Sequence, residues 1–130
     1  MKTLRPFVLA DAPLLAAFLR AEGLAPHEMA FDTLPTFVLE EGGVVMGFVT
    51  LGVAHDVFPQ VVHMVIARAH RNAARARFLM RATCALARAA GSRRLILHAC
   101  QPYVRRLIEW YFRAMPYALT DERAYYVVTA

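Results

Sequence analysis

Apolar residues recur along the chain at two periods, which separate predicted helices from predicted strands. Three segments repeat their apolar residues at the spacing of a helix with one buried face: 11–23, 72–90 and 102–114. Pro13 and Pro102 fall in first turns, where a missing amide breaks no helical hydrogen bond, and Gly23 and Gly91 supply stops. Residues 24–34 fit either a short second helix from Pro26 or a loop.

Runs of β-branched and apolar residues predict strands between these helices. The runs are 4–9, 36–40, 44–53, 61–67, 95–99, 117–119 and 123–129. Residues 41–43 contain two glycines and predict a hairpin turn, and Asp56, Phe58 and Pro59 predict another turn. The order of elements predicts one domain over residues 1–130 that contains both helices and strands.

The apolar fraction of 58% raises the question of a membrane span. The longest uncharged apolar run, 42–54, is shorter than the roughly 20 residues needed to cross a bilayer and contains glycines. The first residues show no apolar core of a secretory signal. We therefore expect a cytoplasmic protein without a membrane span. Cys84 and Cys100 lie in predicted elements without metal-binding spacing, so we expect two reduced thiols and no metal site.

The net charge of +5 is concentrated in one window of the chain. Residues 68–81 contain no acid and carry five arginines: Arg68, Arg71, Arg75, Arg77 and Arg81. The window includes the junction between the strand that ends near Ile66 and the helix after Asn72, where unpaired amides and the helix dipole favour an anion. Small residues there would allow a pyrophosphate to approach the backbone. A solvated basic helix face explains the same arginines, and both interpretations stay open.

Residues 66–76 read IARAHRNAARA, which resembles the cofactor loop VxPxxRxxGxG or GxA of the GNAT superfamily. Members of that superfamily transfer an acyl group from coenzyme A to an amine. Leu4, Arg5, Pro6 and Asp11 are similar to the family's opening strand and helix start. The segment FVLEEGGVVMGFVTL over 37–51 is similar to its second and third strands, including the glycine at Gly47.

The resemblance implies an α/β (α+β) fold with a mixed, mostly antiparallel central sheet of about six to seven strands flanked by three to four helices. It implies acetyl-CoA as the co-substrate, with backbone amides from Arg71 to Ala76 around the pyrophosphate. The implied cofactor-binding residues are Ile66, Ala67, Arg68, Arg71, Asn72, Ala73, Ala74, Arg75 and Ala76. The loop departs from the family's pattern at Arg68, which replaces a proline, and at Ala74, which replaces a glycine.

A second family signature places an asparagine and a tyrosine acid on the helix before the sixth strand. If Met115, Pro116 and Tyr117 occupy the step into that strand, Arg105 stands at the asparagine position and Phe112 at the tyrosine position. Tyr111, one residue away, is the remaining candidate for the catalytic acid. Packing against the core explains Tyr111 equally well.

His63 is the candidate for a general base, because amine acylation needs a neutral nucleophile. Strand alternation turns His63 away from Met64 and Ile66, which favours a packed or solvent-facing side chain. Weaker candidates for substrate contact are Gln60, His55, Asp56 and Glu28, and His98 could line the cleft between the central strands.

The leading hypothesis is a GNAT-like N-acyltransferase in which an amine of an unidentified acceptor attacks the bound thioester. The strand-end backbone near Ile66 and Ala67 would polarise the thioester carbonyl. The alternative is a catalytically silent GNAT-like protein used for binding or assembly with a protein partner, by analogy including bacteriophage-encoded members. A nucleic-acid module ranks last, because helical geometry disperses Trp110, Tyr111 and Phe112 around the axis. A homodimer through the last strand, which carries Tyr125 and Tyr126, stays open.

Overall fold

The computed structural model describes residues 1–54, 58–99, 101–113, 118–119 and 124–130. The strands are Lys2–Pro6 (β1), Thr36–Glu41 (β2), Val44–Ala54 (β3), Phe58–Ile66 (β4), Arg94–Ala99 (β5), Ala118–Leu119 (β6) and Ala124–Thr129 (β7). The helices are Ala12–Ala21 (α1), Ala73–Ala89 (α2) and Pro102–Phe112 (α3), with short 3₁₀ turns at Leu9–Asp11, Pro26–Glu28 and Arg68–His70.

The strands form one seven-stranded sheet in the order β1-β2-β3-β4-β5-β7-β6. Only the central pair β4–β5 is parallel among the described strands, and the other neighbours are antiparallel. This arrangement confirms the predicted mixed, mostly antiparallel sheet. The assignment of residues 1–130 to one domain stays a prediction.

The structure corrects two local predictions and decides between the two alternatives left open at residues 24–34. The first strand ends at Pro6, because Asp11 closes a 3₁₀ turn by accepting the Val8 amide at 3.0 Å and forms a bidentate pair with Arg5. Phe58 and Pro59, predicted in a turn, begin β4; Asp56 lies outside the described residues. Residues 24–34 form a loop that contains one 3₁₀ turn rather than a second α-helix.

Each face of the sheet carries its own apolar core. Helices α2 and α3 cover one face through residues such as Leu79, Met80 and Ile108. Helix α1 covers the other face of the first strands, with Leu15 and Leu19 fully buried. The helical spacing of these residues turns one apolar stripe of each helix toward the sheet.

The centre of the sheet is irregular where β4 meets its neighbours. Thr50 lies opposite His63 and Leu51 opposite Val61, so Val62 has no partner on β3 and forms a bulge in β4. β4 is in register with β5 only at Gln60 and Val61 within the described strands. The pairing of the two central strands therefore ends at the bulge.

None of the helices in the described ranges is both long enough and apolar enough to span a bilayer. Cys84 is a buried, free thiol on α2, as predicted, and burial raises its pKa. Cys100 lies outside the described residues.

Candidate active site

A cavity of about 370 Å³ lies between the first turn of α2 and the outer side of α3. Its lining residues come from both helices and from the loop before α2: Arg71, Asn72, Ala73, Ala76, Tyr103, Arg106, Leu107 and Trp110. The volume falls within the range of small-molecule sites in proteins. Four of the residues expected at the cofactor therefore share one cavity wall.

The start of α2 presents backbone donors to this cavity. Asn72 is the N-cap, and its side-chain oxygen accepts the Arg75 amide at 2.8 Å. The amides of Ala73 and Ala74, at the first two helical positions, have no partner within the helix. The helix dipole adds positive potential at the same place. Ala74, where the family has a glycine, has no positive φ, so its methyl group strains no backbone.

Arg71 is engaged within the protein on three sides. Its Nε donates to the carbonyl of Ile66 at 2.8 Å, and its guanidinium pairs with the buried carboxylate of Glu22 at the end of α1. The guanidinium carbon also lies 3.9 Å from the ring centroid of Tyr103. Arg71 therefore joins the end of β4, α1 and α3 at the inner end of the cavity.

Arg75 points away from the cavity toward the β2–β3 hairpin. Its guanidinium donates to the His70 carbonyl at 3.0 Å and to Glu41 at 3.1 Å, and Arg75 lowers the pKa of the Glu41 carboxyl. Arg68, by contrast, is 73% exposed and lies 3.9 Å from Glu22. All three arginines expected to bind phosphate thus have a carboxylate within ion-pair distance, although Arg68 is largely exposed.

The wall contributed by α3 was missed by sequence reasoning. Tyr103, Leu107 and Trp110 follow one another at helical spacing, which predicts that they share one face of α3. This spacing is the sequence feature from which the wall could have been predicted. Burial raises the pKa of Tyr103, Glu22 adds to the shift, and Arg71 opposes it. Leu107 is buried, whereas Trp110 stays 48% exposed at the cavity's outer end.

The strand-end backbone near Ile66 and Ala67 is also bonded within the protein. The Ala67 amide donates to the Met46 carbonyl at 2.9 Å, and the Ile66 carbonyl accepts from Arg71. A role of this backbone at a thioester stays a prediction.

His63 is buried on the α1 face of the sheet. Its Nε2 accepts the Ala30 amide at 3.3 Å, and its ring meets Phe48 edge-on with centroids 6.4 Å apart. His63 and Gln101 also line a small cavity of about 20 Å³ beside the β4 bulge, with Val62. That volume corresponds to about one water molecule. The histidine therefore packs, and its basic nitrogen holds a backbone amide.

The candidate acid Tyr111 packs against the core on α3. Its ring contacts Phe112 in a T-shaped arrangement with centroids 4.9 Å apart, and both side chains pack on the α2 and α3 face. Tyr111 lines neither the cavity of about 370 Å³ nor the small one beside the β4 bulge. Glu28 accepts the Ala25 amide at 3.3 Å.

The remaining predictions cannot be placed on the fold. The part of the chain that the structure describes does not include His55, Asp56, the His98 side chain, or Met115, Pro116 and Tyr117, which lead into the sixth strand.

Solved structures with the same fold span nearly the whole chain. A protein from Desulfovibrio desulfuricans described as a GNAT-family acetyltransferase superposes with a TM-score of 0.81 at 15% identity, covering 99% of both chains. An N-acetyltransferase from Staphylococcus aureus Mu50 gives 0.74 at 16% identity, with 99% and 98% covered. N-acetylglutamate synthase from Neisseria gonorrhoeae, complexed with coenzyme A and L-arginine, gives 0.78 at 16% identity. This chain covers 98% of its own length but 33% of that protein.

At such identities the structural likeness shows the fold alone. Comparison with curated protein sequences gave no significant match. The model of the acetyltransferase (GNAT) family matches residues 9–115, which include α1, the junction before α2 and the whole of α3. The chain therefore belongs to the GNAT acetyltransferase family.

Proposed function

We propose that this protein is an N-acyltransferase that moves an acyl group, acetyl in the simplest case, from acyl-CoA to an amine. The observation that carries the proposal is the cavity of about 370 Å³ at the N-terminus of α2 in a GNAT chain. Its lining includes Ala73, whose backbone amide has no partner within the helix. The Neisseria relative was crystallised with coenzyme A, which supports the same class of ligand here.

The residues present suit an anionic, partly apolar ligand. The Ala73 and Ala74 amides would hold a pyrophosphate oxygen at the positive end of α2, and the small side chains of the loop allow close approach. Leu107 and Tyr103 supply apolar wall for the attached chain. Coenzyme A would supply the activated thioester, and Arg71 would act indirectly by fixing the inner wall.

Acid–base assistance from the candidates that the structure describes is limited in the observed arrangement. Phe112 has no proton to give, and the His63 nitrogen that would accept a proton holds the Ala30 amide. We therefore propose that the chain accelerates transfer mainly by binding and orienting the two substrates, with water carrying the amine's proton.

These same observations favour one second candidate, a GNAT-family protein that binds acyl-CoA without turnover. This candidate is favoured because Phe112 stands at the tyrosine position and the ring of Tyr111 packs against Phe112. The two candidates share the cofactor cavity and differ only in whether an acyl group leaves it.

The binding test uses calorimetric titration with acetyl-CoA and coenzyme A, comparing the native protein with Ala73→Pro. Proline fits this first helical position, because Asn72 before it is extended at φ −154° and ψ 167°, but it removes the amide. We expect about ten-fold weaker binding, the effect of one charge-assisted hydrogen bond, with little change in stability.

Ala73→Gly is the matched control, because it keeps the amide and should bind nearly as well as the native protein. Absence of binding to the native protein would contradict both candidates. If Ala73→Pro bound the ligands as tightly as the native protein, the anion would bind elsewhere than at the start of α2. A screen of small amines and peptide amino groups, followed by release of free thiol, then separates the enzyme from the silent binder.

A further inference from the structure

Uncompensated positive charge lies at the outer end of the α2–α3 cavity rather than at its inner end. Arg71 is paired with Glu22, and Arg75 with Glu41. Arg77 on α2 and Arg106 on α3 are exposed, and neither forms an ion pair with any carboxylate that the structure describes. An anion at this end therefore meets two guanidinium groups that no described carboxylate neutralises.

An exposed aromatic ring lies beside Arg77 and shares the cavity lining with Arg106. Trp110 lines the cavity, and the Arg77 guanidinium carbon lies 5.5 Å from its ring centroid. The Trp110 side chain is 48% exposed, so its ring is accessible from solvent at the cavity. Arg106, four residues earlier on the same helix, lines the cavity with Trp110. A flat aromatic surface and two exposed guanidinium groups are complementary to a purine base that carries a phosphate.

We infer that the outer end of this cavity, lined by Arg106 and Trp110 and with Arg77 beside the Trp110 ring, recognises the phosphoadenosine part of coenzyme A and makes the protein selective for the ribose phosphate. The inference rests on the proposed function, because it takes the ligand of the cavity to be coenzyme A. The pyrophosphate lies at the amides of α2, the base at Trp110, and the ribose phosphate between Arg77 and Arg106.

The test compares three ligands by calorimetry: coenzyme A, dephospho-CoA, which lacks the ribose phosphate, and phosphopantetheine, which lacks the nucleotide. We expect the native protein to bind coenzyme A about ten-fold more tightly than dephospho-CoA, the effect of charge-assisted bonds at exposed arginines. In the double variant Arg77→Gln, Arg106→Gln the ratio should fall to about two-fold or less. Arg88→Gln, which removes the same charge from the far end of α2, should keep the native ratio.

Trp110→Leu tests the base separately. This variant should bind coenzyme A and dephospho-CoA about ten-fold more weakly than the native protein, because it loses the aromatic ring on which the base stacks. Its affinity for phosphopantetheine should be unchanged. The ratio between the first two ligands should persist in this variant. A change confined to the ratio would place the phosphate, not the base, at Trp110 and overturn the assignment.

The outcomes separate failure of this inference from failure of the proposed function. If the native protein binds coenzyme A and dephospho-CoA equally, or the double variant keeps the full ratio, the inference is wrong and the acyl-CoA proposal stands. If none of the three ligands binds, the proposed function fails with it. Tighter binding of a single-stranded oligonucleotide, falling steeply with salt, would overturn the assignment in favour of nucleic acid.

Discussion

At the scale of single residues, Gly47 shows how closely the central strands approach. It pairs with Ile66 at the end of β4, directly before the loop that leads to the cavity. A methyl group added at Gly47 would lie 2.2 Å from the Val65 carbonyl oxygen and 3.0 Å from the Ile66 Cα. Both are backbone atoms, so no side-chain rotation relieves the contact. Only glycine fits this position without moving β4.

Gly47→Ala should therefore destabilise the protein by about 2–4 kcal/mol, the range of a severe backbone overlap in a packed sheet. Chemical denaturation gives the free energy of unfolding. Gly52→Ala is the control on the same strand, where the new methyl group would meet the end of the Val62 side chain at 3.1 Å. The argument would be contradicted if Gly47→Ala lowered the free energy of unfolding no more than Gly52→Ala does.

At the scale of elements, α3 is tied to β7 by a buried phenol. The hydroxyl of the fully buried Tyr126 donates to Glu109 at 2.7 Å, and Arg105 donates to the same carboxylate oxygen at 3.0 Å. Tyr126 and Arg105 hold the pKa of Glu109 below its usual value. Burial first, and the Glu109 carboxylate second, raise the pKa of Tyr126 to about 12.

This shift makes the protein sensitive to alkali. The folded state keeps the Tyr126 proton above pH 10, where the unfolded chain loses it, so the stabilisation is complete below pH 10 and declines as pH rises toward 12. A shift of two units corresponds to about 2–3 kcal/mol. Tyr126→Phe should not show this part of the loss of stability at high pH. At neutral pH it should lower the free energy of unfolding by about 1 kcal/mol, because it removes the hydrogen bond to Glu109.

Denaturation from pH 8 to pH 12 measures the effect. Tyr103, whose pKa is also raised, contributes to the loss in every variant, so the comparison between proteins isolates Tyr126. Tyr125→Phe, one residue away on β7, should keep the native alkaline loss. The same alkaline loss in Tyr126→Phe as in the native protein would argue against the shift.

At the scale of the whole molecule, the sequence was sufficient for the sheet and for one side of the site. Helical and strand periods placed the elements around the cavity, and the IARAHRNAARA loop placed Asn72 at the start of α2. The partners of the arginines were not predictable, because Glu22 is 49 residues from Arg71 and Glu41 is 34 residues from Arg75. No local pattern joins such distant positions. The wall from α3 was missed for a different reason: the helical spacing of Tyr103, Leu107 and Trp110 predicts one face of a helix, but not what lies opposite that face.

The interaction of Glu22 with Arg71 connects parts of the molecule that the sequence keeps far apart. Glu22 ends α1, where the helix dipole disfavours a carboxylate, and its carbonyl accepts Gln101 at 3.2 Å from the start of α3. The Glu22 side chain is only 8% exposed and that of Arg71 21%. Each charge therefore depends on the other for its burial.

Glu22→Gln and Arg71→Gln should each cost about 1–3 kcal/mol, because each leaves a largely buried charge unpaired. Their double-mutant cycle should give a coupling energy of about 1–2 kcal/mol in denaturation experiments. The cycle for Lys2 and Glu41, a more exposed pair 3.6 Å apart, should give less than about 1 kcal/mol. If the two couplings were equal, Arg71 would not fasten α1 to the cavity. It would then be free for the ligand, and its removal would weaken coenzyme A binding instead of stability.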